Sequence, residues 1–122
     1  LSDEDLRQIY PGLSEEQALQ QLREMNANAQ VLFTRGADGM VLLTLGSKVE
    51  QAAIAVEMAD TVGAGDASMA GWLASGLLGI EAAQARLAFS AACASVSCAN
   101  AGAYAPNREE VEQLLARSGG SR

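Results

Sequence analysis

The hydrophobic pattern changes period several times along the chain. Ser2 precedes Asp3, Glu4 and Asp5, a capping hydroxyl followed by acids at the positive end of a helix dipole. This predicts a short helix ending near Pro11-Gly12. Ser14, with Gln17 at the third helical position, repeats the signature as a capping box, and Ala18, Leu19, Leu22 and Met25 follow as an apolar stripe at helical spacing. The run Val31–Thr34 predicts a buried strand, closed by Arg35-Gly36-Ala37-Asp38-Gly39. Met40–Leu45 predicts a second strand, Gly46-Ser47 a tight turn, and Lys48–Val56 a third strand with partial alternation. Beyond Asp60 small residues dominate as far as Ala105, and helices are predicted over Ala64–Leu77 and Ile80–Cys98. A loop, Ala99–Asn107, then leads into an amphipathic helix carrying Val111, Leu114 and Leu115, and Ser118–Arg122 is expected to be a frayed tail. The order of helices, strands and helices predicts an α/β or α+β piece.

Composition narrows the chemistry. A chain of 122 residues that is 49% hydrophobic suits one domain with a real core and is too apolar for disorder. Eight basic residues against fifteen acidic ones give a net charge of -7, and Lys48 is the sole lysine. Nucleic acid and anionic membranes both reward clustered Lys and Arg, so neither is expected as a partner. There is no histidine, which removes every Ser-His-Asp, Cys-His and His-metal arrangement. Cys93 and Cys98 have neither CxxC spacing nor companion ligands and read as small core residues of a reducing compartment. The longest apolar run, Ala70–Ile80, is interrupted by Gly and Ser and is too short to span a bilayer. The chain opens at Leu1 with no basic-then-apolar leader, and the expectation is a piece of a longer cytoplasmic protein.

The informative segment is Asp60-Thr-Val-Gly63-Ala64-Gly65-Asp66-Ala-Ser-Met-Ala-Gly71. Gly63-Ala64-Gly65 is a turn running straight into a helix, so its amides can converge on one concavity and hold a phosphate with help from the helix dipole. Asp66 sits in the first helical turn beside that hole. A carboxylate there suits acceptance of a proton from a hydroxyl attacking phosphorus. Other readings of the glycines compete. A dinucleotide fingerprint needs Gly or Ala where Ser68 stands, although Glu81 lies near the distance of a ribose-binding acid. A Walker A loop needs a lysine, which is lacking. A glycine-rich helix start merely capped by Asp66 accounts for the bare Gly-Ala-Gly-Asp equally well.

The longer string, Asp60 to Asp66 with Ala70-Gly71 after it, closely resembles the C-terminal signature of the ribokinase-like (PfkB) carbohydrate kinases. Thr34-Arg-Gly36-Ala-Asp-Gly39 resembles that family's nucleotide-contacting turn, and Asn100-Ala-Gly102-Ala103 its late loop near adenine and a monovalent cation. Leu1–Leu6 and Tyr10-Pro-Gly12 resemble the segment ahead of the nucleotide lobe. The resemblance covers the whole chain, residues 1–122, and only the family's C-terminal, nucleotide-binding part. It implies a three-layer ribokinase-like α/β fold, with the sugar-binding part and lid lying elsewhere. It further implies Asp66 as catalytic base, with Gly63, Ala64 and Gly65 as the anion hole. Thr34, Gly36, Gly39 and Asn100 would line the ATP site. Asp60, the Val62 carbonyl, Ser97 and Gly102 would surround a potassium-type ion, and Mg²⁺ would travel with ATP. The family's Asn-x-x-Glu motif is not cleanly present, with Asp3 or Glu4 nearest to it.

Fructokinase activity is the leading expectation, resting on the Ser2–Leu6 and Gly71–Gly79 segments, with 2-keto-3-deoxygluconate kinase or another sugar or nucleoside kinase as the near alternative. A nucleotide-binding fragment without catalysis of its own is a further alternative, and a nicotinamide-binding module a remote one. Trp72 reads as a core anchor, and Arg35 as either a phosphate contact or a solvated strand end. An unpaired edge beside Val31–Thr34 and an apolar helix face are expected to produce a homo-oligomer.

Overall fold

The computed structural model describes residues 1–118; residues 119–122, most of the expected frayed tail, lie outside that description. Three short helices open where a side chain can cap them. Ser2 caps α1 (Asp3–Ile9), Ser14 caps α2 (Glu15–Met25) and Asn107 caps the last helix, each with a reciprocal bond from the third helical residue, Asp5, Gln17 and Glu110. After α2 run β1 (Val31–Thr34), a single 3₁₀ turn (Gly36–Asp38), β2 (Met40–Thr44) and β3 (Ser47–Gln51), then α3 (Ala64–Leu77), α4 (Ala83–Cys98) and that last helix, α5 (Arg108–Arg117).

The three strands form an antiparallel sheet in the order β1-β2-β3, with Leu32 opposite Leu42 and Leu42 opposite Val49. Side chains alternate across the sheet, and both faces are covered. Phe33 joins Leu6 of α1 and Ala18 of α2 in one cluster. Leu32, Met40 and Leu42 join Ala67 and Trp72 of α3, Leu87, Phe89 and Val96 of α4, and Val111 and Leu114 of α5 in another. Helices on both faces of a sheet make three layers, as expected.

Three expectations are corrected. The third strand stops at Gln51 instead of Val56, because residues 52–58 pair with no strand among the described residues. The fourth helix starts at Ala83 instead of Ile80, since Gly79 turns at φ +82° and Ala82, the residue that precedes the helix, is still extended. The outer edge of β1 is not bare at its end: Thr34 N–H donates to the Leu1 carbonyl at 2.9 Å, and the Leu1 amino group donates to the Leu32 carbonyl at 2.8 Å.

The α3–α4 contact is close because α3 supplies a glycine at the crossing. A Cβ on Gly71 would stand 2.8 Å from Cys93 Sγ and 3.0 Å from Ser90 Cα. Ser90 Oγ donates to the Ser68 carbonyl across this interface. Farther along, the Arg86 guanidinium lies 3.8 Å above the Trp72 ring, donates to the Trp72 carbonyl at 2.7 Å and to Ser75 Oγ at 3.0 Å. Trp72 is thus the core anchor that its sequence position suggests. The two thiols of α4 are free and buried, and burial pushes Cys93 up to about 11.

Candidate phosphate and nucleotide site

Gly63 sits at φ +82° as the N-cap of α3, a left-handed conformation that lets the chain turn into the helix. The Ala64 N–H donates to the Thr61 carbonyl and the Ala67 N–H to the Gly63 carbonyl, while those of Gly65 and Asp66 meet no acceptor among the described residues. Gly65 is exposed, and a Cβ built on it would meet nothing within 4 Å. Two unpaired donors thus lie at the positive end of a 14-residue helix beside the open face of Gly65, an arrangement suited to phosphate. Asp66 is the third residue of that helix, its carboxylate exposed at the rim.

The turn is held from behind by Asp60. One carboxylate oxygen accepts from the Val62 N–H at 3.0 Å, the other from the Gly102 N–H at 3.1 Å. These two bonds hold the Asp60 carboxyl below its ordinary value, the Val62 bond most. The Ala59 and Asp60 N–H groups both donate to the Cys98 carbonyl at the end of α4. Across the turn, a Cβ on Gly63 would stand 3.4 Å from Ala103 Cβ and 4.0 Å from Ser97 Oγ. Ser97 is fully buried, and its hydroxyl has no hydrogen-bond partner. The structure thus gathers Asp60, Val62, Gly63, Ser97 and Gly102 into one place.

Asn100 is only partly as expected. It belongs to the same loop, but its side-chain amide donates to the Val96 carbonyl at 2.8 Å, finishing α4. The second glycine turn, at the end of the β1–β2 hairpin, is built differently. The Arg35 N–H donates to the Gly39 carbonyl at 2.8 Å, and the Gly39 N–H to the Gly36 carbonyl at 3.1 Å. Gly36 and Gly39 both have positive φ, at +55° and +92°. Gly36 faces open space, whereas a Cβ on Gly39 would collide with the Gln51 carbonyl, so packing against β3 alone demands glycine there. Thr34 is half-buried at the end of β1, and α3 packs against that strand. No hydrogen bond joins this turn to the Asp60–Asp66 turn among the described residues. Arg35 is neither a free phosphate contact nor a solvated end: it pairs with Glu15 at 3.0 Å and lies 5.4 Å from the Phe33 ring centroid.

Sequence reading missed one participant. Tyr104 packs against the main core and its hydroxyl donates to Glu110 at 2.8 Å. That bond to a carboxylate raises the phenol above its ordinary value. The half-apolar, half-polar character of a lone tyrosine between Gly102 and the Asn107 cap was the signal available. Among the described residues no group of three or more Cys, Asp and Glu side chains is placed to hold a metal.

A family model for the pfkB family carbohydrate kinases matches residues 2–110. The chain belongs to the pfkB family. A 1-phosphofructokinase of Haloferax volcanii is 38% identical over 100 residues, which are 80% of this chain and 32% of that protein. A putative ribokinase II from E. coli, solved with ATP and Mg²⁺, superposes with a TM-score of 0.83 at 24% identity, over 95% of this chain and 38% of that one. At that identity the likeness speaks for the ribokinase-like fold. A fructokinase from Vibrio cholerae O395, in a fructose, ADP and calcium bound form, gives a TM-score of 0.78 at 28% identity, over 93% of this chain and 39% of that one. A double mutant of that fructokinase has been solved in a fructose, ADP and potassium bound form. The pfkB chain described here thus spans about a third of the curated relative's length and about two fifths of each solved one.

Proposed function

We propose that this chain is the nucleotide-binding and phosphoryl-transfer part of an ATP-dependent sugar kinase of fructokinase type. The observation that carries the reading is the exposed Asp66 carboxylate beside two unpaired N–H groups and the open face of Gly65. Phosphoryl transfer demands little covalent chemistry of the protein and much positioning and charge stabilisation. The Gly65 and Asp66 N–H groups would neutralise charge on the transferred phosphoryl group without having to reorganise. Asp66 would accept the proton of the attacking sugar hydroxyl. Thr34, Gly36 and Asn100 would border the nucleotide, with Gly39 fixing the turn that carries Thr34 and Gly36.

The residues also fit a monovalent cation. Asp60 retains lone pairs beyond its two backbone bonds, the Val62 carbonyl is at hand, and the buried Ser97 hydroxyl lacks any partner. A potassium-type ion there would stiffen the turn through electrostatics, and Mg²⁺ would enter with ATP, held through phosphate and water. Sugar specificity is assigned to fructose or a fructose phosphate in line with the 1-phosphofructokinase and fructokinase likenesses. A reducing, cytoplasmic setting suits the free thiols. The outward apolar side chains Met69, Leu73 and Leu77 of α3 belong to the same reading: a helix apolar on all sides is built to be covered by further protein, and a second copy is the cover we assign.

The test is Asp66→Asn in the polypeptide that carries the sugar site, followed by ADP release with and without fructose. We expect turnover to fall by about 10²–10⁴ with ATP affinity nearly intact. Unchanged turnover would reduce Asp66 to a helix-start residue and overturn the assignment. The 122 residues alone are expected to bind ATP weakly and to show no sugar-dependent ADP release, because they offer the base no oriented acceptor.

A further inference from the structure

The loop that lies against the Asp60–Asp66 turn, residues 99–107, is fastened through a residue that does not itself bond to the turn. Its middle is engaged with the site: the Gly102 N–H donates to Asp60, and Ala103 lies against Gly63. Directly after Ala103, the Tyr104 N–H donates back to the Gly102 carbonyl at 2.9 Å. The Tyr104 ring packs on the main core, and its hydroxyl donates to Glu110 Oε2 at 2.8 Å. The other oxygen of Glu110 accepts the Asn107 N–H at 3.0 Å, completing the capping box of α5. One carboxylate thus serves the helix cap with one oxygen and the loop with the other. From Glu110 a continuous series of contacts runs through Tyr104, Gly102 and Ala103 to Asp60 and Gly63.

We propose that Tyr104 and Glu110 form a latch, a pair of positioning residues that hold Gly102 and Ala103 against Asp60 and Gly63 and so set the shape of the phosphate turn. The loop has few alternatives. Gly102 is at φ +72°, and Gly102, Ala103 and Ala105 have no side chain able to reach a polar partner. Asn100 anchors only the loop's start, on Val96. Hydrogen bonds to a carboxylate are the stronger kind, and the latch lies at the one loop residue with both an apolar body and a polar tip. Tyr104→Phe removes the tip and keeps the body, so the core contact survives while the fastening does not.

Two readouts decide it, the second of which rests on the nucleotide reading given above. The first is amide hydrogen exchange of the Gly102 N–H in the full polypeptide that carries the sugar site, which is also the parent for the second. Loss of one bond to a charged acceptor predicts about tenfold faster exchange in Tyr104→Phe. Glu110→Ala, which also removes the cap bond from the Asn107 N–H, should do at least as much, and adding Tyr104→Phe to it should change Gly102 exchange little further. Amides in the middle of α4 should keep their protection, which separates a released loop from general destabilisation. The second readout is MgATP affinity by calorimetry, expected to weaken about three- to tenfold in Tyr104→Phe with a melting temperature within a few degrees of the parent. Unchanged Gly102 exchange overturns the latch. Faster exchange with unchanged ATP affinity overturns its tie to the site. A parent chain whose exchange responds as expected but which binds no ATP supports the latch and removes the nucleotide reading instead.

Discussion

Two glycine- and alanine-rich regions meet in α3, and they use small residues for opposite ends. At the α3–α4 crossing glycine is required because there is no room: a Cβ on Gly71 would press on Cys93 and Ser90. At the N-terminus of the same helix, Gly65 has nothing within 4 Å of where a Cβ would stand. Its glycine keeps a space open. The crossing is closed, with its serine hydroxyls spent on carbonyls of the opposite or the same helix. The turn leaves two N–H groups unpaired and an exposed carboxylate at its edge. One composition thus builds a rigid seat and an unfinished binding surface within a few residues, and sequence composition alone does not distinguish them.

Substitutions at the two glycines should separate them. Gly65→Val should lower turnover at least a hundredfold, or MgATP affinity about tenfold, through a branched side chain where phosphate oxygens must approach. Its melting temperature should stay within a few degrees, since valine in the first turn of a helix costs little backbone energy. Thermal unfolding and calorimetry on the same preparation check both halves. A variant that unfolds would show that Gly65 belongs with Gly71. Gly71→Ala should do the reverse and destabilise by about 1–3 kcal/mol through overpacking, read as a lowered midpoint in urea, while any nucleotide binding by the surviving folded protein is nearly retained. A fully stable Gly71→Ala protein would mean that α3 and α4 can move apart freely and that the seat is not rigid.

The smallest expected effect concerns acidity. Asp60 ties the turn to the late loop through two backbone bonds, and its carboxyl is held below the ordinary value of 3.8. A depressed carboxyl in the folded state contributes stability that is complete above its unfolded value and lost as pH falls through the folded one. The turn should therefore hold from neutral pH down to about 3.8 and loosen below it. Gly102 amide exchange, corrected for its intrinsic acid dependence, checks this. Asp60→Asn should abolish that acid step, and a step that persists would belong to another carboxyl.

Much of the layout is legible along the chain because it is written locally. The Ser2 and Ser14 caps, the run Val31–Thr34 and the helix Ala64–Leu77 are marked by their own residues and by the glycines at their ends. What escapes reading depends on partners remote in sequence. Residues 52–56 have strand-like composition but no strand to pair with. Gly39 has a packing reason to be glycine that the sequence does not show, the Gln51 carbonyl behind it. Asn100 is placed in the right loop, yet its amide is spent on the end of α4. The site follows the same division. The segment Asp60–Asp66 stands out in the sequence through its resemblance to the family signature, whereas the Tyr104–Glu110 fastening and the orphaned Ser97 hydroxyl emerge only when α4, α5 and the loop between them are folded together.

The stacking of Arg86 on Trp72 has an optical consequence. Trp72 is the sole tryptophan of the chain, is 7% exposed and lies on α3, the helix that follows the Asp60–Gly63 turn. All indole emission therefore reports one location, the α3–α4 seam. In the native protein it should be blue-shifted and shielded from acrylamide, with the overlying guanidinium setting its intensity. Slippage of the seam would register as a red shift before the far-ultraviolet dichroism of the helices changes. An event confined to the loop would leave the emission untouched, so the molecule carries its own probe for telling movement of the seat from movement of what rests on it.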